Sequence, residues 1–318
     1  MDWSKEENLV SLSAILILRL TLRKTTPLLL AALGGLFSER VGIANIALEG
    51  MMLTGAFFAV IISYFTQNPW LGVLAGMISG MGMSFLLGVA SIKFKANQTV
   101  TGAAINIMAL GITGFLLETI FEKPGNSPIV PKIEIISLPF IKDIPVWGEI
   151  ISSHHIFVYT SFALVLILHL FFFKTPLGLH MRSVGEHPMA ADTMGINVYK
   201  MRYLGVSISG ILAGLAGASL ALGDLSFFAE RMTAGRGYIA LAALIFGKWT
   251  PLGVLGSTLF FGFADALQES LQGIGKINIP SEFFLIIPFI LSLIVLAGFV
   301  GRARPPASIG VPYEKEEG

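Results

Sequence analysis

The feature that most limits what this chain can become is the recurrence of apolar runs long enough to cross a bilayer, with little charge to interrupt them. A membrane helix needs roughly 20 apolar residues, fewer where it is buried among others. Ten such segments can be read: Leu9–Leu22, Pro27–Phe37, Asn45–Phe65, Trp70–Ile92, Val100–Thr119, Ile156–Phe173, Tyr203–Leu222, Tyr238–Gly247, Leu252–Leu271 and Phe283–Val300. Of the 318 residues, 54% are hydrophobic and 13% are charged, whereas about a quarter of a soluble domain is charged. The expected class is an all-α membrane protein, with residues 1–318 forming a single transmembrane domain of about ten helices.

The same composition narrows the chemistry. A net charge of +1 leaves no basic footprint for nucleic acid. Cysteine is absent, which removes disulfides, thiol catalysis and Cys-ligated metal. The five histidines never approach H-E-x-x-H spacing, no G-x-S-x-G occurs, and no carboxylate pair falls inside the bundle at catalytic spacing. No enzyme, metal or cofactor is therefore expected in this chain. No G-x-x-x-x-G-K-[ST] phosphate loop occurs either, so ATP and magnesium would have to sit on a separate subunit. Asp2, Glu6 and Glu7 stand where a signal peptide would be basic, and the N-terminus reads as mature sequence.

Ten crossings counted from a cytoplasmic N-terminus put Lys93, Lys95, the 174–202 loop, Lys248, Arg302 and Arg304 on the cytoplasmic side. The Lys/Arg bias requires that placement, and both termini are then cytoplasmic. Arg23 and Lys24 break the pattern; merging the first two segments into one crossing would carry the N-terminus outside and alter nothing after Glu39. The count leaves 118–155 outside as a long loop holding Pro124, Pro128, Pro131, Pro139 and Pro145. Its prolines alternate with apolar pairs, which favours an ordered outer cap over a tether. His154 and His155 adjoin the end of a span and read as an interfacial anchor.

Two segments are short. Pro27–Phe37 makes about 16 Å of helix and Tyr238–Gly247 about 15 Å, half a bilayer each. Half-length helices persist in lipid only where the freed backbone is covered by protein or faces a wet path, and they mark transport pathways. Gly72, Gly76 and Gly80 share one helical face, as do Gly210 and Gly214, which predicts close helix packing within the bundle.

Polar residues inside apolar spans are functional candidates by default. Asn45 and Glu49 read as i, i+4 neighbours on one helix face. Two roles stay open for them: contact with the transported solute, or a hydrogen-bond clamp in which Glu49 accepts from backbone or from Arg40. A second cluster, Asn97, Gln98, Thr101 and Asn106, leads into the fifth span. Amides and hydroxyls along a path suit a neutral polyhydroxyl or heterocyclic solute better than an ion. The substrate pathway is therefore expected at Asn45, Glu49, Asn97, Gln98, Thr101 and Asn106.

The 174–202 loop carries a compact element. Pro188 suits a first helical turn, Glu186 and Asp192 flank it, and Gly195 can close the helix with positive φ. The resulting two-turn helix would show Met189, Ala190, Thr193 and Met194, a small knob with adaptable sulfur side chains. An interfacial connector helix would look similar.

Three blocks carry a resemblance: G-L-F-S-E-R-V-G-I-A-N-I-A-L-E-G-M-M-L-T-G-A-F (Gly35–Phe57), L-H-M-R-S-V-G-E-H-P-M-A-A-D-T-M-G-I-N (Leu179–Asn197) and G-R-G-Y-I-A-L-A-A-L-I-F-G-K-W-T-P-L-G (Gly235–Gly253). From Leu28 to about Arg302 the chain resembles the permease subunits of bacterial ABC importers for branched-chain amino acids, simple sugars and nucleosides. The N-I-A-x-E-G-M-M block looks like the nucleoside branch, which works with basic-membrane-protein lipoproteins; the sugar branch typically has G-I-D-L-S-V-G there. The resemblance implies a Type II-like importer bundle in the bacterial inner membrane. It also implies pairing with a second, unlike permease, a cytoplasmic ABC ATPase and an extracytoplasmic substrate-binding lipoprotein.

Within the loop motif E-x3-A-A-x3-G, Glu186, Ala190, Ala191 and Gly195 match. With Pro188, Met189 and Met194 they would form the helix that couples to the ATPase. Docking of the binding protein is expected on the outer loops, at Glu118, Glu122 and Glu134, where rim carboxylates would meet basic patches. A ribose-like sugar permease is the alternative within the class. A gradient-driven carrier is the alternative outside it, disfavoured by the matched coupling loop and by the lack of an Asp/Glu/His relay.

Overall fold

The computed structural model describes residues 3–122, 124–137, 144, 147–273 and 303–315. Its first helix, α1, runs unbroken from Trp3 to Arg40 with Pro27 inside it. Proline removes one helical donor, and the hydroxyls beside it bond within and across helices: Thr26 Oγ1 donates to Leu22 O at 2.9 Å, and Thr25 Oγ1 reaches across to Thr258 O at 3.3 Å. Hydroxyls and neighbouring helices keep membrane helices continuous through proline in this way. The expected hairpin between Leu9–Leu22 and Pro27–Phe37 is therefore absent, and Pro27–Phe37 is the second half of α1, not a half-helix. A propensity reading breaks the chain at proline because it does not see the tertiary contacts, such as that of Thr25 with Thr258, that hold the helix through it.

The chain continues through α2 (Leu48–Thr66), α3 (Pro69–Gly88, ending in a π-helical turn, Val89–Lys93) and α4 (Gln98–Phe121). The loop after α4 holds β1 (Ile135–Ser137), α5 (Trp147–Ile151) and β2 (Ser153–His155). Then come α6 (Ile156–Lys174), α7 (Pro176–Glu186), α8 (Pro188–Thr193) and α9 (Val198–Ala218, continuing as a π-helical turn, Ser219–Leu225). The described helices end with α10 (Arg236–Phe246) and α11 (Pro251–Gly273). Among the described residues, five helices are long and apolar enough to cross a membrane: α2, α3 with its turn, α4, α6, and α9 with its turn. The short helix expected over Tyr238–Gly247 is present as α10, of 11 residues. The span expected at Phe283–Val300 lies outside the described residues.

Small residues build the centre. A Cβ on Gly214 would stand 2.2 Å from the Gly76 carbonyl oxygen, so α9 and α3 touch backbone to backbone. Between helices in lipid the gain comes from such packing rather than from apolar burial. The buried stretch of α1, including Leu29, Leu33, Leu36 and Phe37, joins Met51, Phe172, Val206 and Ala213 in one core.

The two ends of α1 mark the two ends of the bundle. At one end Arg19 donates to Ser153 O at 3.2 Å, and Arg23 pairs with Asp224 at 2.9 Å. At the other, Arg40 donates to Trp249 O at 2.9 Å, and the backbone of Arg40 lies against Gly185. The segment 303–315 packs at this second end, where Ser308 N donates to Gly185 O at 2.9 Å. The N-terminal helix and the C-terminal segment thus emerge at opposite ends, which overturns the expectation that both termini share one side. Arg23 and Lys24, the exceptions to the charge pattern, pair with Asp224 and Glu269 near the end opposite Arg40.

The loop between α4 and α6 is ordered where it is described. Ser127 N donates to Phe228 O, Val130 N to Ser226 O and Ile133 N to Leu222 O, each at 2.9 Å. β1 and β2 pair antiparallel, with Ile135 opposite His155. His154 and His155 are buried at 1% and 2% exposure, so they are not the interfacial anchor expected. His154 Nε2 lies 2.7 Å from Ile150 O, and His155 Nε2 lies 3.4 Å from Asp224.

Candidate functional site

Between α1 and α2 the chain is irregular yet buried: Val41, Ile43, Asn45 and Ala47 have no exposed surface. Irregular backbone at membrane depth survives only if its polar groups find partners in the protein. They do. Ile43 N donates to Ser38 O at 2.9 Å, Ala44 N to the Gln98 side-chain oxygen at 2.7 Å, and the Asn106 amide to Ile46 O at 2.9 Å. Asn45 stands in this stretch, three residues before α2 begins, so it does not share a helix face with Glu49. Its amide donates to Ser209 Oγ on α9 at 2.8 Å.

Glu49 lies in the first turn of α2 and reaches across to the start of α10. Oε1 accepts from Thr233 Oγ1 at 2.6 Å and from Gly235 N at 2.9 Å; Oε2 accepts from Gly237 N at 2.7 Å. A helix leaves its first amides without partners, and a carboxylate there is favoured by both hydrogen bonding and the helix dipole. The carboxylate is thus the cap of the half-length helix, and its partners are backbone and Thr233 rather than Arg40. The approach demands glycine: a Cβ on Gly237 would stand 2.4 Å from Glu49 N.

Asn106 completes the junction from α4. Its Oδ1 accepts from Gly50 N at 2.8 Å, and its Nδ2 also donates to Tyr238 OH at 2.9 Å. One amide therefore ties α4, the start of α2 and the start of α10. Gln98 and Asn106 are buried, at 3% and 4% exposure, while Glu49 and Thr101 are half-buried. Asn97 is exposed and caps α4, accepting from Val100 N at 3.1 Å. The arrangement brings Glu49, Asn106 and Tyr238 together; Asn97 stands apart, and Asn45 faces α9, fully enclosed. Asn45 has no exposed surface.

The other end of α10 is held by the same part of the chain. Trp249, just beyond Phe246, donates its indole N–H to the Glu39 carboxylate, while Arg40 donates to the Trp249 carbonyl. Glu39, Tyr238 and Trp249 were not singled out from the sequence, and Arg40 was considered only as a partner for Glu49. Their signal was present in the quoted blocks, as charged and aromatic residues bordering two interrupted segments.

The 174–202 region forms two short helices. α8 spans Pro188–Thr193, with Met194 as its cap and Gly195 at φ +83 closing it in the left-handed region. Met189 and Met194 are exposed, at 44% and 81%, while Ala191 is buried beneath them. Glu186 ends α7, and its carboxylate accepts from Ala307 N at 3.3 Å. At the opposite end of the bundle Glu118, Glu122 and Glu134 are exposed. A cavity of about 290 Å³ nearby is lined by Arg23, Lys24, Asp224, Arg236 and Glu269. Two of those cations already pair with its two carboxylates.

Comparison with known proteins gives this geometry its context. The family model for the permease component of the branched-chain amino acid transport system matches residues 17–296. The guanosine ABC transporter permease protein NupQ of Bacillus subtilis is 48% identical over 94% of this chain and 97% of its own length. The nucleoside ABC transporter permease protein NupC of Lactococcus lactis subsp. cremoris is 39% identical over 92% and 95%. A Haloferax volcanii relative named for glucose transport, TsgC13, is 36% identical over 81% and 78%. The two bacteria also hold more distant permease relatives, NupP and NupB, each 25% identical to this chain. No solved structure matches. These relatives are transport permeases, not enzymes, and the chain belongs to the branched-chain amino acid transport system permease family.

Proposed function

We propose that this chain is one of two unlike permease subunits of an ATP-driven importer that carries nucleosides across a bacterial cell membrane. The observation that carries the reading is the nearly end-to-end likeness, at 48% identity, to a guanosine permease. NupQ and NupP in one organism, and NupC and NupB in another, support a paired arrangement. The remaining parts would be a cytoplasmic ABC ATPase, which holds ATP and magnesium, and a substrate-binding lipoprotein outside. The subunit would be a Type II-like bundle of about ten membrane helices, one fewer with α1 as a single crossing.

In this arrangement α7, α8 and the 303–315 segment face the cytoplasm, and the loop 118–155 and the Arg19 end of α1 face outward. Glu186, Pro188, Met189, Ala190, Ala191, Met194 and Gly195 form the contact with the ATPase. Glu118, Glu122 and Glu134 form the rim that meets the binding protein. The half-buried Glu49 and Thr101 border the solute path, while Asn97, Gln98, Asn45 and Asn106 hold the surrounding backbone.

The capped half-helix supports a neutral cargo. A free helix N-terminus is an anion site, but here Glu49 occupies the amides of Gly235 and Gly237. The Glu49 charge beside the path is thereby engaged by the protein's own donors, which leaves a border suited to a neutral nucleoside. Uptake of labelled guanosine and uridine into proteoliposomes holding the full complex tests the reading. Unlabelled nucleosides should compete and sugars should not. Competition by glucose or ribose alone would favour the sugar reading, which the likeness to TsgC13 keeps in view.

A further inference from the structure

We propose that Ser308 and Tyr313 are positioning residues for ATPase coupling, holding the segment 303–315 as a strap between α7–α8 and the buried Val41–Ala47 stretch. The inference rests on the reading of residues 186–195 as the ATPase contact.

The need for a strap begins with Pro188. In a continuing helix the N–H of residue 188 would bond to the carbonyl of Val184, four residues back, but proline has no N–H to give. The Ser308 hydroxyl takes that place, 3.2 Å from Val184 O and 2.7 Å from Gly185 O, and Ser308 N adds a bond to Gly185 O at 2.9 Å. The last carbonyls of α7 are thus capped by a segment more than 100 residues distant in sequence. The Glu186 carboxylate, next in the chain, accepts from Ala307 N. The break between α7 and α8 is therefore set from outside the loop that contains it.

The opposite edge of the strap grips the membrane domain. Gly310 N donates to Gly42 O at 3.2 Å, and Arg202 on α9 donates to Val311 O at 3.2 Å. Tyr313, 4% exposed, sets its ring 5.3 Å from that of Tyr199 and 5.9 Å from the Arg202 guanidinium. Arg202 is itself 1% exposed and lies under this ring. Glu314 pairs with Lys95 at the foot of α4, and Lys315 lies 3.9 Å from Asp192 on α8. Every element that would have to move with the ATPase contact is joined to the strap: α7, α8, the Val41–Ala47 stretch, α9 and the start of α4.

A strap that sets the angle of α7 and α8 would govern how much hydrolysis is converted into transport. The measurement is ATP hydrolysed per labelled nucleoside imported by the full complex in proteoliposomes, alongside the amount of complex assembled. Ser308→Ala should raise that ratio about fivefold, the population shift expected on losing one net hydrogen bond, with assembly unchanged. Tyr313→Ala should do the same. Tyr313→Phe should leave the ratio at the wild-type value, because the ring makes the contacts with Tyr199 and Arg202. Should Tyr313→Ala fail to assemble, Ser308→Ala decides alone. Gly195→Val separates the two layers of the argument. If it uncouples while Ser308→Ala and Tyr313→Ala keep the wild-type ratio, the strap is overturned and the coupling reading stands. If none of the variants changes the ratio, the coupling reading fails and takes the strap with it.

Discussion

Removing the Glu49 cap tests whether this carboxylate holds the half-helix or serves the solute. In Glu49→Gln, one oxygen can still accept from Thr233 and Gly235, but the new amide group presents N–H to the N–H of Gly237. A buried amide left without an acceptor costs about 1–3 kcal/mol, and replacing charge-assisted bonds by neutral ones adds to that. We expect Glu49→Gln to lose about 2–4 kcal/mol and Glu49→Ala, which abandons all three donors, about 3–5 kcal/mol. For a chain of this size each kcal/mol lowers the thermal midpoint by about 1.5 °C. The assay is thermal aggregation of the assembled complex in detergent, read beside nucleoside uptake at a temperature where both variants stay folded. Both variants should melt early, Ala before Gln. If Glu49→Gln melts with the wild type but transports poorly, the carboxylate acts on the solute and the cap argument fails. If Glu49→Ala matches the wild type in both measurements, the hydrogen bonds at α10 contribute nothing.

Further tests follow from the ends of the bundle. Gly195 sits at φ +83, a region disfavoured for β-branched residues; Gly195→Val, like Glu186→Lys, should hydrolyse ATP without matching uptake, and normal uptake in both would remove this region from coupling. Neutralising Glu118, Glu122 and Glu134 together should slow capture of the loaded binding protein at low salt, with little change in melting, because exposed rim charges act mainly on association rate; an unchanged capture rate would leave the loop as a cap only. Burial holds the His154 imidazole below its ordinary value of 6.5, so folding favours the neutral form. The stability it contributes is complete above 6.5 and is lost as pH falls below it toward the folded-state value. Hydrogen exchange in residues 147–155 should therefore quicken on acidification through that range, and His154→Gln should flatten the dependence; an equal response in the variant would assign it elsewhere.

Periodicity and composition made most of the helices legible, because lipid demands long apolar runs and tolerates few interruptions. The departures fall where tertiary contacts replace local signals. Pro27 reads as a break, yet α1 passes through it with Thr25 and Thr26 bonding beside it. Asn45 reads as helix because its neighbours are apolar, whereas the stretch around it is irregular and held by Gln98, Asn106 and Ser209 from two other helices. The scarcity of polar groups in apolar runs draws attention to Glu49 and Asn106 as candidates for the solute path, with a hydrogen-bond clamp left open for Glu49, and the structure gives both of them hydrogen-bond partners. That scarcity could not name their partners, since Gly235, Gly237 and Tyr238 lie more than 130 residues further along.

That long separation has a mechanical consequence. α10 is about 16 Å of helix, too short to be anchored by lipid at both ends, and its two termini are gripped by one segment of the chain. Glu49 takes the amides at its start, while Glu39 and Arg40 take Trp249 just past its end. These grips lie at either side of the Val41–Ala47 stretch, whose own backbone is fixed by α4 and by Gly310 of the strap. Displacing that stretch therefore cannot leave α10 behind without breaking charge-assisted bonds at one terminus or the other. The backbone of Arg40, in turn, rests against Gly185 at the end of α7. A push delivered at α7 and α8 has a contiguous packed route to the half-helix, and the residues that make the route are the ones that interrupt the apolar runs.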